Sequence, residues 1–397
     1  MKHSWQPAGK RSVNESMKIC ILSMQHVDNF GSVLQAYALK GMLEQLGHQV
    51  SFLPIEPSRE DNSLRSDACM TFSAEGEDAR TLLHKLKKLD RYTLNRVWLK
   101  YQWLCQRREF ARFRSRYLPE ADKNDRYDCC VIGSDEVFNC LTDAPWGFTG
   151  QLFGDVPQAD KVITYAASCG STLPEKVPEP ALRRIQSAMK NLSALSVRDE
   201  NTRAFAEHLS QLPVQQHPDP ALVADFSREM AETQLPESLP ERYCIVYSYY
   251  NRIKDGEEIR RIREFCAQQK LALLTVGAPQ KWIPKHLVLT PFEMLKVFQN
   301  ASFVITDTFH GTIFSAKYAK RFAVLIRGSN RNKLGDLVAR LGLGQHVVES
   351  FGELEKAVSL ENDFAETARV TERERCRAQQ YLRENTWLEG RNKDAEN

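Results

Sequence analysis

Residues 18–55 read KICILSMQHVDNFGSVLQAYALKGMLEQLGHQVSFLPI, and this stretch decides the fold. The apolar run at Lys18–Ser23 predicts a buried strand, and a helix is predicted to begin near Ser32. Gly47 is the expected end of that helix, because glycine readily adopts the left-handed backbone that follows a last helical turn. A second strand is predicted at Val50–Ile55. A strand, a helix and a strand in succession form a β-α-β unit, the opening of a doubly wound parallel sheet.

The same alternation continues along the chain and then restarts after a proline-rich stretch. Helical periodicity supports the first helix, whose apolar positions are Ala36, Leu39, Leu43 and Leu46. Further strands are predicted at 128–134, 162–168, 194–197, 243–249, 271–276, 303–306 and 322–326. A linker near 213–240 separates the two blocks. The fold class is therefore α/β, with two Rossmann-like domains that face a cleft, similar to the glycosyltransferase-B architecture.

The predicted organisation has four parts. Residues 1–16 are expected to be a disordered extension, and 17–215 the first Rossmann-like domain, with a basic helical insertion at 80–117. Residues 216–360 are expected to form the second Rossmann-like domain. Residues 361–397 are expected to contribute a C-terminal helix and tail, the helix spanning about 364–388 and packing back on the first domain.

Charge is distributed unevenly. The chain carries a net charge of +3, yet residues 80–117 hold twelve Lys or Arg against Asp90 and Glu109. We predict amphipathic helices here, with the apolar side supplied by leucines together with Trp98, Tyr101 and Cys105. A solvated face on a core-packed insertion is the first interpretation, and contact with a membrane surface is the second. No nucleic-acid recognition module accompanies the charge, so nucleic acid is not expected as a partner.

Composition excludes several classes of protein. No apolar run approaches the roughly 20 residues of a membrane-spanning helix, and the N-terminus has no secretory apolar block. The ten cysteines contain no Cys-x-x-Cys pair, which favours reduced thiols, a cytoplasmic location and no zinc site. The glycine-rich fingerprints of dinucleotide-binding proteins and P-loop kinases are missing from the sequence, as is the nucleophile elbow of α/β hydrolases. We expect neither a cofactor nor a metal.

Two polar segments follow strands of the first block. Asn29, Gly31 and Ser32 open the first helix, where backbone N–H groups and the helix dipole favour an anion. Ser134, Asp135 and Asn139 follow the strand at 128–134, at the sheet edge that faces the ligand crevice in open α/β folds. These side chains suit sugar hydroxyls, and Asp135 suits a general base. The alternative for each segment is an ordinary capping turn.

Two further segments offer charged or titratable side chains. Arg198 leaves a buried strand next to Asp199, so its planar guanidinium is a candidate for binding a carboxylate or phosphate. An internal salt bridge between the two is the alternative. His310 follows the strand at 303–306 and stands where Gly311 and Thr312 open a helix. A histidine there is a candidate proton donor, although a lone histidine is more often structural.

These segments, in this order, resemble the polysaccharide pyruvyl transferase family. The matching stretches run from Asn29 to Leu39, then 133–139, 165–168, 196–199, Asp219-Pro220 and 306–312, and they cover roughly residues 17–345. The resemblance implies a transferase that moves a pyruvyl group from phosphoenolpyruvate to a sugar of a bacterial surface polysaccharide, or its lipid-linked precursor. The product is a pyruvate ketal, and peripheral contact with the inner membrane is in keeping with such an acceptor.

The resemblance also implies roles for individual residues. Arg198 corresponds to a donor ligand and His310 to the acid near the departing phosphate. With Asp135 as base, we assign Arg198, Gly311, Thr312 and Arg327 to donor binding. Acceptor binding is assigned to a second group: Asn29, Gly31, Ser32, Ser134 and Asn139.

The sequence departs from the family pattern at one charged position. Better-known members often carry an arginine two residues before the histidine, where this chain has Thr308. Another cation is then expected to substitute, with Arg321, Arg327 and Lys333 as candidates, or else the donor differs. Two alternatives stay open: a glycosyltransferase that uses a nucleotide-sugar, and a non-catalytic relative that binds a sugar or anion.

Overall fold

The structure, a computed structural model, describes residues 16–56, 91–141, 148–250 and 252–387, without the side chains of residues 91–96 and 329. The predicted extension at 1–16 and most of the tail beyond 387 lie outside the described residues, as does the part of the predicted insertion before residue 91. No helix in the described ranges is both long and apolar enough to cross a membrane.

The first half of the chain builds a parallel six-stranded sheet in the order β2-β1-β3-β4-β5-β6. Its strands are β1 (Lys18–Leu22), β2 (Gln49–Phe52), β3 (Tyr127–Asp135), β4 (Ala159–Ala167), β5 (Leu192–Val197) and β6 (Val214–Gln216). The register is set by pairs such as Ile19 with Val50 and Ile21 with Val131. Because helices cover both faces of a parallel sheet, its central strands contain continuous buried runs, such as 129–134 in β3 and 162–167 in β4.

The second half builds another parallel six-stranded sheet, in the order β12-β11-β10-β7-β8-β9. Its strands are β7 (Tyr243–Tyr247), β8 (Ala272–Val276), β9 (His286–Leu287), β10 (Phe303–Thr306), β11 (Phe322–Leu325) and β12 (Val347–Val348). Two parallel sheets confirm the predicted α/β class. The predicted strands all exist, whereas β6, β9 and β12 were missed because edge strands of two or three residues carry no periodicity.

The helices alternate with the strands. Those of the first half are α1 (Phe30–Glu44), α2 (Arg91–Tyr117), α3 (Glu179–Met189) and α4 (Glu200–Leu209). Two short helices, α5 (Pro220–Val223) and α6 (Ser227–Ala231), lead to the second sheet. The remainder are α7 (Gly256–Gln268), α8 (Pro291–Asn300), α9 (Phe309–Tyr318), α10 (Arg331–Arg340), α11 (Leu354–Val358) and α12 (Phe364–Thr386).

Helix α2 buries a different face from the one predicted. Trp98 and Tyr101, expected on the apolar inner side, are 51% and 55% exposed. The buried positions in the first turns are Leu99, Gln102 and Gln106, and the buried aromatic positions Phe110 and Phe113 follow. Gln106 explains why this face of α2 is buried, because its side-chain amide forms two hydrogen bonds with the Leu289 backbone, at 2.9 and 3.0 Å. Because glutamine is polar, a search for the spacing of apolar residues does not identify this buried face of α2.

The two halves share one continuous hydrophobic cluster. Phe30 of α1 and Phe110 of α2 pack edge to face with ring centroids 4.9 Å apart, and both belong to a cluster that reaches Phe292 and Phe309. Helix α12 then returns to the first sheet, where the Tyr381 hydroxyl donates to the Thr164 carbonyl of β4 at 2.8 Å. The junction between the sheets is therefore closely packed on one side.

Candidate functional site

Helix α1 begins at the junction between the two halves. Asn29 caps it, its side-chain oxygen accepting from the Ser32 amide at 2.7 Å. Gly31 lies in the first turn and faces the second half. A Cβ placed on Gly31 would stand 2.2 Å from Nδ1 of His310, so no other residue fits there without moving the histidine. The predicted Gly31 is thus explained by the close approach of His310.

Helix α9 begins opposite α1 and carries His310. Thr308 caps it, its hydroxyl accepting from the Gly311 amide at 3.0 Å. Gly311 is also sterically required, since a Cβ there would lie 2.1 Å from the Thr306 hydroxyl oxygen. The Thr312 hydroxyl donates to the Thr308 carbonyl at 2.9 Å and is enclosed by protein. These contacts hold the first turn of α9 in place. Gly311 and Thr312 make them with neighbouring residues of the same segment.

A chain of charged groups joins His310 to the first sheet. His310 Nε2 lies 3.3 Å from Asp219 Oδ2, and the same oxygen accepts from Arg198 Nη1 at 3.0 Å. Arg198 also reaches Asp135 at 3.3 Å, and Asp135 accepts from the Ser32 hydroxyl at 2.8 Å. Side chains from five separate segments therefore form one network across the junction.

Arg198 is enclosed by protein. Its side chain is 2% exposed, a third carboxylate (Asp199) stands 3.8 Å away, and the guanidinium lies 4.2 Å from the ring centroid of Phe309. Burial acts to lower the pKa of Arg198, but Asp135, Asp219 and Asp199 outweigh it and raise the pKa. The salt-bridge interpretation thus describes the contacts of Arg198, and its predicted role as a donor ligand stays a prediction.

Asp219 is the ionised centre of the network. Burial acts to raise its pKa, but His310 and Arg198 favour the carboxylate and lower the pKa to about 2. Asp219 is therefore a carboxylate at neutral pH, and its Oδ2 lies 3.3 Å from His310 Nε2.

The loop after β3 makes a second contact between the halves. Glu136 accepts from Lys333 of α10 at 2.5 Å and from Asn139 at 2.8 Å. Burial raises the pKa of Glu136, yet Lys333, Asn139 and Arg198 together lower it to about 2. The predicted Asn139 therefore supports this ion pair. Ser134 donates to Gln35 at 2.7 Å inside the first half.

The cations beside the second sheet differ in their partners. Arg327, which follows β11, pairs with Asp307 at 2.7 Å and with Glu258 at 3.0 Å. Arg321 precedes β11, at the opposite edge of the sheet, and pairs with Glu361 at 2.7 Å. Arg252 was not identified from the sequence. Its guanidinium lies 4.5 Å from the ring centroid of Tyr249 and donates to the Asp307 carbonyl at 3.2 Å. Within the described ranges, Arg252 has no carboxylate partner.

A cavity of about 620 Å³ opens beside His310. We call it the junction chamber. Its lining comes from the start of α1, from α2, from the end of β7 and from the loop after β8, and its members are Val27, Asp28, Asn29, Trp103, Arg107, Phe110, Tyr247, Ser248, Tyr249, Tyr250, Gly277, Ala278, Thr308 and His310. This volume lies within the range of small-molecule sites. The site therefore comprises the charged network and this chamber, with His310 belonging to both.

Sequence reasoning found part of this site. Asn29, Gly31, Ser32, Asp135, Arg198 and His310 come together as a group, whereas Asp219 was noticed only within a motif. The aromatic residues of the chamber carried no signal, because a tyrosine run at the end of β7 is also typical of a buried strand. Within the described ranges, no group of three or more His, Cys, Asp or Glu side chains is placed to hold a metal ion.

Two parallel sheets with a histidine–aspartate pair at their junction define a two-domain α/β protein with an interdomain site. A sequence model of the polysaccharide pyruvyl transferase family matches residues 29–329. The chain belongs to that family, which is a family of transferases. No curated protein matches the chain in a sequence search.

Several solved structures similar to the whole chain are glycosyltransferases. UGT89C1 of Arabidopsis thaliana, solved with UDP, aligns at a TM-score of 0.46 and 10% identity, covering 94% of this chain and 100% of that one. SnogD of Streptomyces nogalater aligns at a TM-score of 0.39 and 13% identity, covering 94% and 98%. Similarity at this level supports no conclusion about the activity of this chain.

Proposed function

We propose that this protein transfers the pyruvyl group of phosphoenolpyruvate to two hydroxyls of a sugar, forming a pyruvate ketal and releasing phosphate. The acceptor is a saccharide of a bacterial surface polysaccharide or its lipid-linked precursor. The observation that carries the proposal is the His310–Asp219 pair at the interdomain junction, 3.3 Å apart, in a chain of this family. A held histidine is the acid that departure of phosphate requires.

The proposed chemistry balances with groups in the network. A proton adds to the methylene carbon of the donor, and C2 becomes electrophilic. A sugar hydroxyl attacks C2 and gives its proton to Asp135, whose carboxylate is already oriented by Ser32 and Arg198. His310 protonates the bridging oxygen as phosphate leaves, and the second hydroxyl closes the ketal. The sugar loses two hydroxyl protons in all. These balance the proton added to the methylene carbon and the proton that leaves with phosphate.

Binding of the donor anion needs cationic partners. We assign this role to Arg252, with Arg327 and Arg198 in support. Arg252 is favoured because it has no carboxylate partner in the parts of the chain that the structure describes. Arg198 already contacts three carboxylates, so it acts chiefly by holding Asp135 and Asp219 in place. A buried, paired arginine is a poor ligand for a new anion, since each existing pair must first be broken.

The test measures phosphate release from phosphoenolpyruvate in the presence of lipid-linked saccharides from cells. We expect release that depends on the acceptor, and a product heavier by one ketal-linked pyruvyl group. His310→Gln should lower kcat about 10²–10⁴-fold with little change in donor KM, because the lost interaction belongs to the transition state. His346→Gln is the matched control, since His346 is buried against Phe322 away from the junction.

The outcomes separate the proposal from its alternatives. Release of a nucleoside diphosphate from a nucleotide-sugar, without phosphate from phosphoenolpyruvate, would identify a glycosyltransferase. Saturable donor binding without turnover would identify a non-catalytic relative. Parental turnover by His310→Gln would place the acid elsewhere.

We also propose a cytoplasmic location with peripheral contact to the inner membrane. Helix α2 has eight Lys or Arg and one acidic residue, Glu109. It also exposes Trp98, Tyr101 and Leu104. Basic charge beside exposed aromatic side chains suits an anionic lipid surface. Cosedimentation with vesicles of phosphatidylglycerol and phosphatidylcholine should fall as salt rises, and equal binding to pure phosphatidylcholine vesicles would contradict the proposal.

A further inference from the structure

The junction chamber is chemically unlike the charged network beside it. Five of its fourteen lining residues are Trp, Phe or Tyr: Trp103 and Phe110 come from α2, and Tyr247, Tyr249 and Tyr250 come from the end of β7 and beyond. The charged residues among its described lining are Asp28 and Arg107, which pair with each other at 2.7 Å. Arg252, Arg327 and Lys333 are not among the lining residues. The chamber therefore suits a neutral ligand better than the highly charged donor.

Tyr249 presents an open aromatic face. Its side chain is 45% exposed although it stands in the cleft, and one face of the ring is covered by the guanidinium of Arg252. The contact with Arg252 fixes the ring, so little rotameric freedom is lost when a ligand packs on it. The negative face of an aromatic ring attracts the C–H groups that line one side of a pyranose.

Ser248 provides a polar group without a partner. It is 4% exposed, lines the chamber, and its hydroxyl oxygen forms no hydrogen bond with any described residue. An unsatisfied buried hydroxyl costs free energy, so its presence at a cavity wall indicates a ligand that completes it. A sugar hydroxyl can both donate to Ser248 and accept from it. Asn29 and Thr308 supply further polar groups on the opposite wall.

An apolar notch of about 90 Å³ continues the chamber outward. It shares Trp103, Tyr250 and Ala278 with the chamber, and its remaining lining residues are Leu99, Pro279, Lys100 and Lys281. Leu99 lies on α2, the helix that also exposes Trp98 and Tyr101. An apolar group attached to the sugar therefore has a route from the chamber toward the basic surface of α2.

We infer that the junction chamber is the acceptor subsite, and that it takes a neutral saccharide with an apolar aglycone, stacked on Tyr249 and hydrogen-bonded to Ser248. This inference rests on the proposed function, because it names the substrate class of the same site. It moves acceptor recognition from Ser134 and Asn139, which are engaged elsewhere, to the tyrosines at the end of β7. The sugar hydroxyls then reach His310 from the chamber that His310 itself lines.

The test measures direct binding of glycosides in the absence of any donor, by tryptophan fluorescence and saturation-transfer NMR. The ligands are the methyl and octyl glycosides of glucose, galactose and mannose. We expect at least one sugar of this set to bind, with the octyl glycoside tighter than the methyl glycoside. Tyr249→Ala should weaken binding about tenfold or more, and Ser248→Ala about three- to tenfold. Phe364→Ala is the control, because Phe364 is an exposed aromatic residue outside the chamber and away from α2.

The outcomes distinguish the subsite from the proposed function. No binding by any glycoside, equal affinity in Tyr249→Ala and the parent, or an equal loss in Phe364→Ala would overturn the inference. Equal affinity for octyl and methyl glycosides would contradict the inference that the subsite prefers an apolar aglycone. Acceptor-dependent phosphate release that survives Tyr249→Ala and Ser248→Ala would leave the proposed function standing and remove the subsite. Glycoside binding without any phosphate release would leave the subsite standing and contradict the proposed function.

Discussion

The imidazole of His310 lies directly on the backbone of Gly31, with space for a hydrogen atom but none for a methyl group. One residue opens helix α1 of the first half, and the other opens helix α9 of the second. Each half therefore positions the other's helix start, and the site exists only where both are together.

Gly31→Ala should displace His310 and lower turnover by about the 10²–10⁴-fold assigned to the acid. The added Cβ would lie 2.2 Å from the imidazole, closer than nonbonded atoms allow. Gly41→Ala on the same helix is the control, since no atom lies within 4 Å of its added Cβ. That change should keep full activity and add roughly 0.5–1 kcal/mol of stability. Equal activity in the two variants would contradict the contact.

Thr308→Arg should not increase activity, although it restores the residue of better-known relatives. Thr308 is 4% exposed and caps α9 through its hydroxyl. Arginine removes the cap, which costs about 0.5–2 kcal/mol, and cannot be enclosed at this position without a partner. Thr308→Ser keeps the hydroxyl and should stay close to the parent. Thermal unfolding and kcat/KM measured together check this, and a gain of activity in Thr308→Arg would show that the missing cation limits the reaction.

Arg198→Ala should destabilise the fold by about 3–5 kcal/mol, because three buried carboxylates would lose their counter-charge. Urea unfolding at pH 7 measures the change. Arg203→Ala is the control, since Arg203 pairs with Glu207 on the surface and exposed pairs contribute about 0–1 kcal/mol. If Arg198→Ala keeps its stability and loses donor affinity, the arginine is a ligand rather than a support.

The Lys333–Glu136 pair should make the contact between the halves sensitive to acid. The pKa of Glu136 is lowered from 4.5 to about 2, so its contribution to stability is full above pH 4.5 and is lost as the pH falls toward 2. A double-mutant cycle with Glu136→Gln and Lys333→Met should give a coupling of about 1–3 kcal/mol at pH 7. At pH 3 the coupling should be less than roughly half of that value. A coupling that does not change with pH would rule out the charged pair.

The local features of this fold were predictable from sequence, and the long-range ones were not. Residues 18–55 contain every pattern needed to predict the first β-α-β unit, because an apolar strand, a capped turn and a helical period lie within one short stretch. Arg198 offered two interpretations, and the partners that decide between them, Asp135 and Asp219, come from distant strand ends and loops. No pattern in one sequence states which strand ends meet.

The site shows the same division. His310 was predicted from its place at a strand end, and the fold brings it to the junction. Its partner Asp219 was noticed only within a motif, because Asp219 and His310 lie on distant segments that the fold brings to 3.3 Å. The chamber tyrosines were missed because a tyrosine run at the end of β7 is also typical of a buried strand. Trp98 and Tyr101 were placed on the wrong side of α2, since the buried positions Gln102 and Gln106 are polar and satisfy backbone groups of the second half.

The chain passes between the halves twice, once through α5 and once on entering α12, and α9 holds both passages. Lys317 of α9 donates to the carbonyls of Ala221 and Ala224 at 3.0 and 2.6 Å. Asn362, just before α12, donates to the carbonyls of Ala316 and Ala319 at 2.8 and 3.1 Å. Both described passages are therefore fastened to the helix whose first turn carries His310.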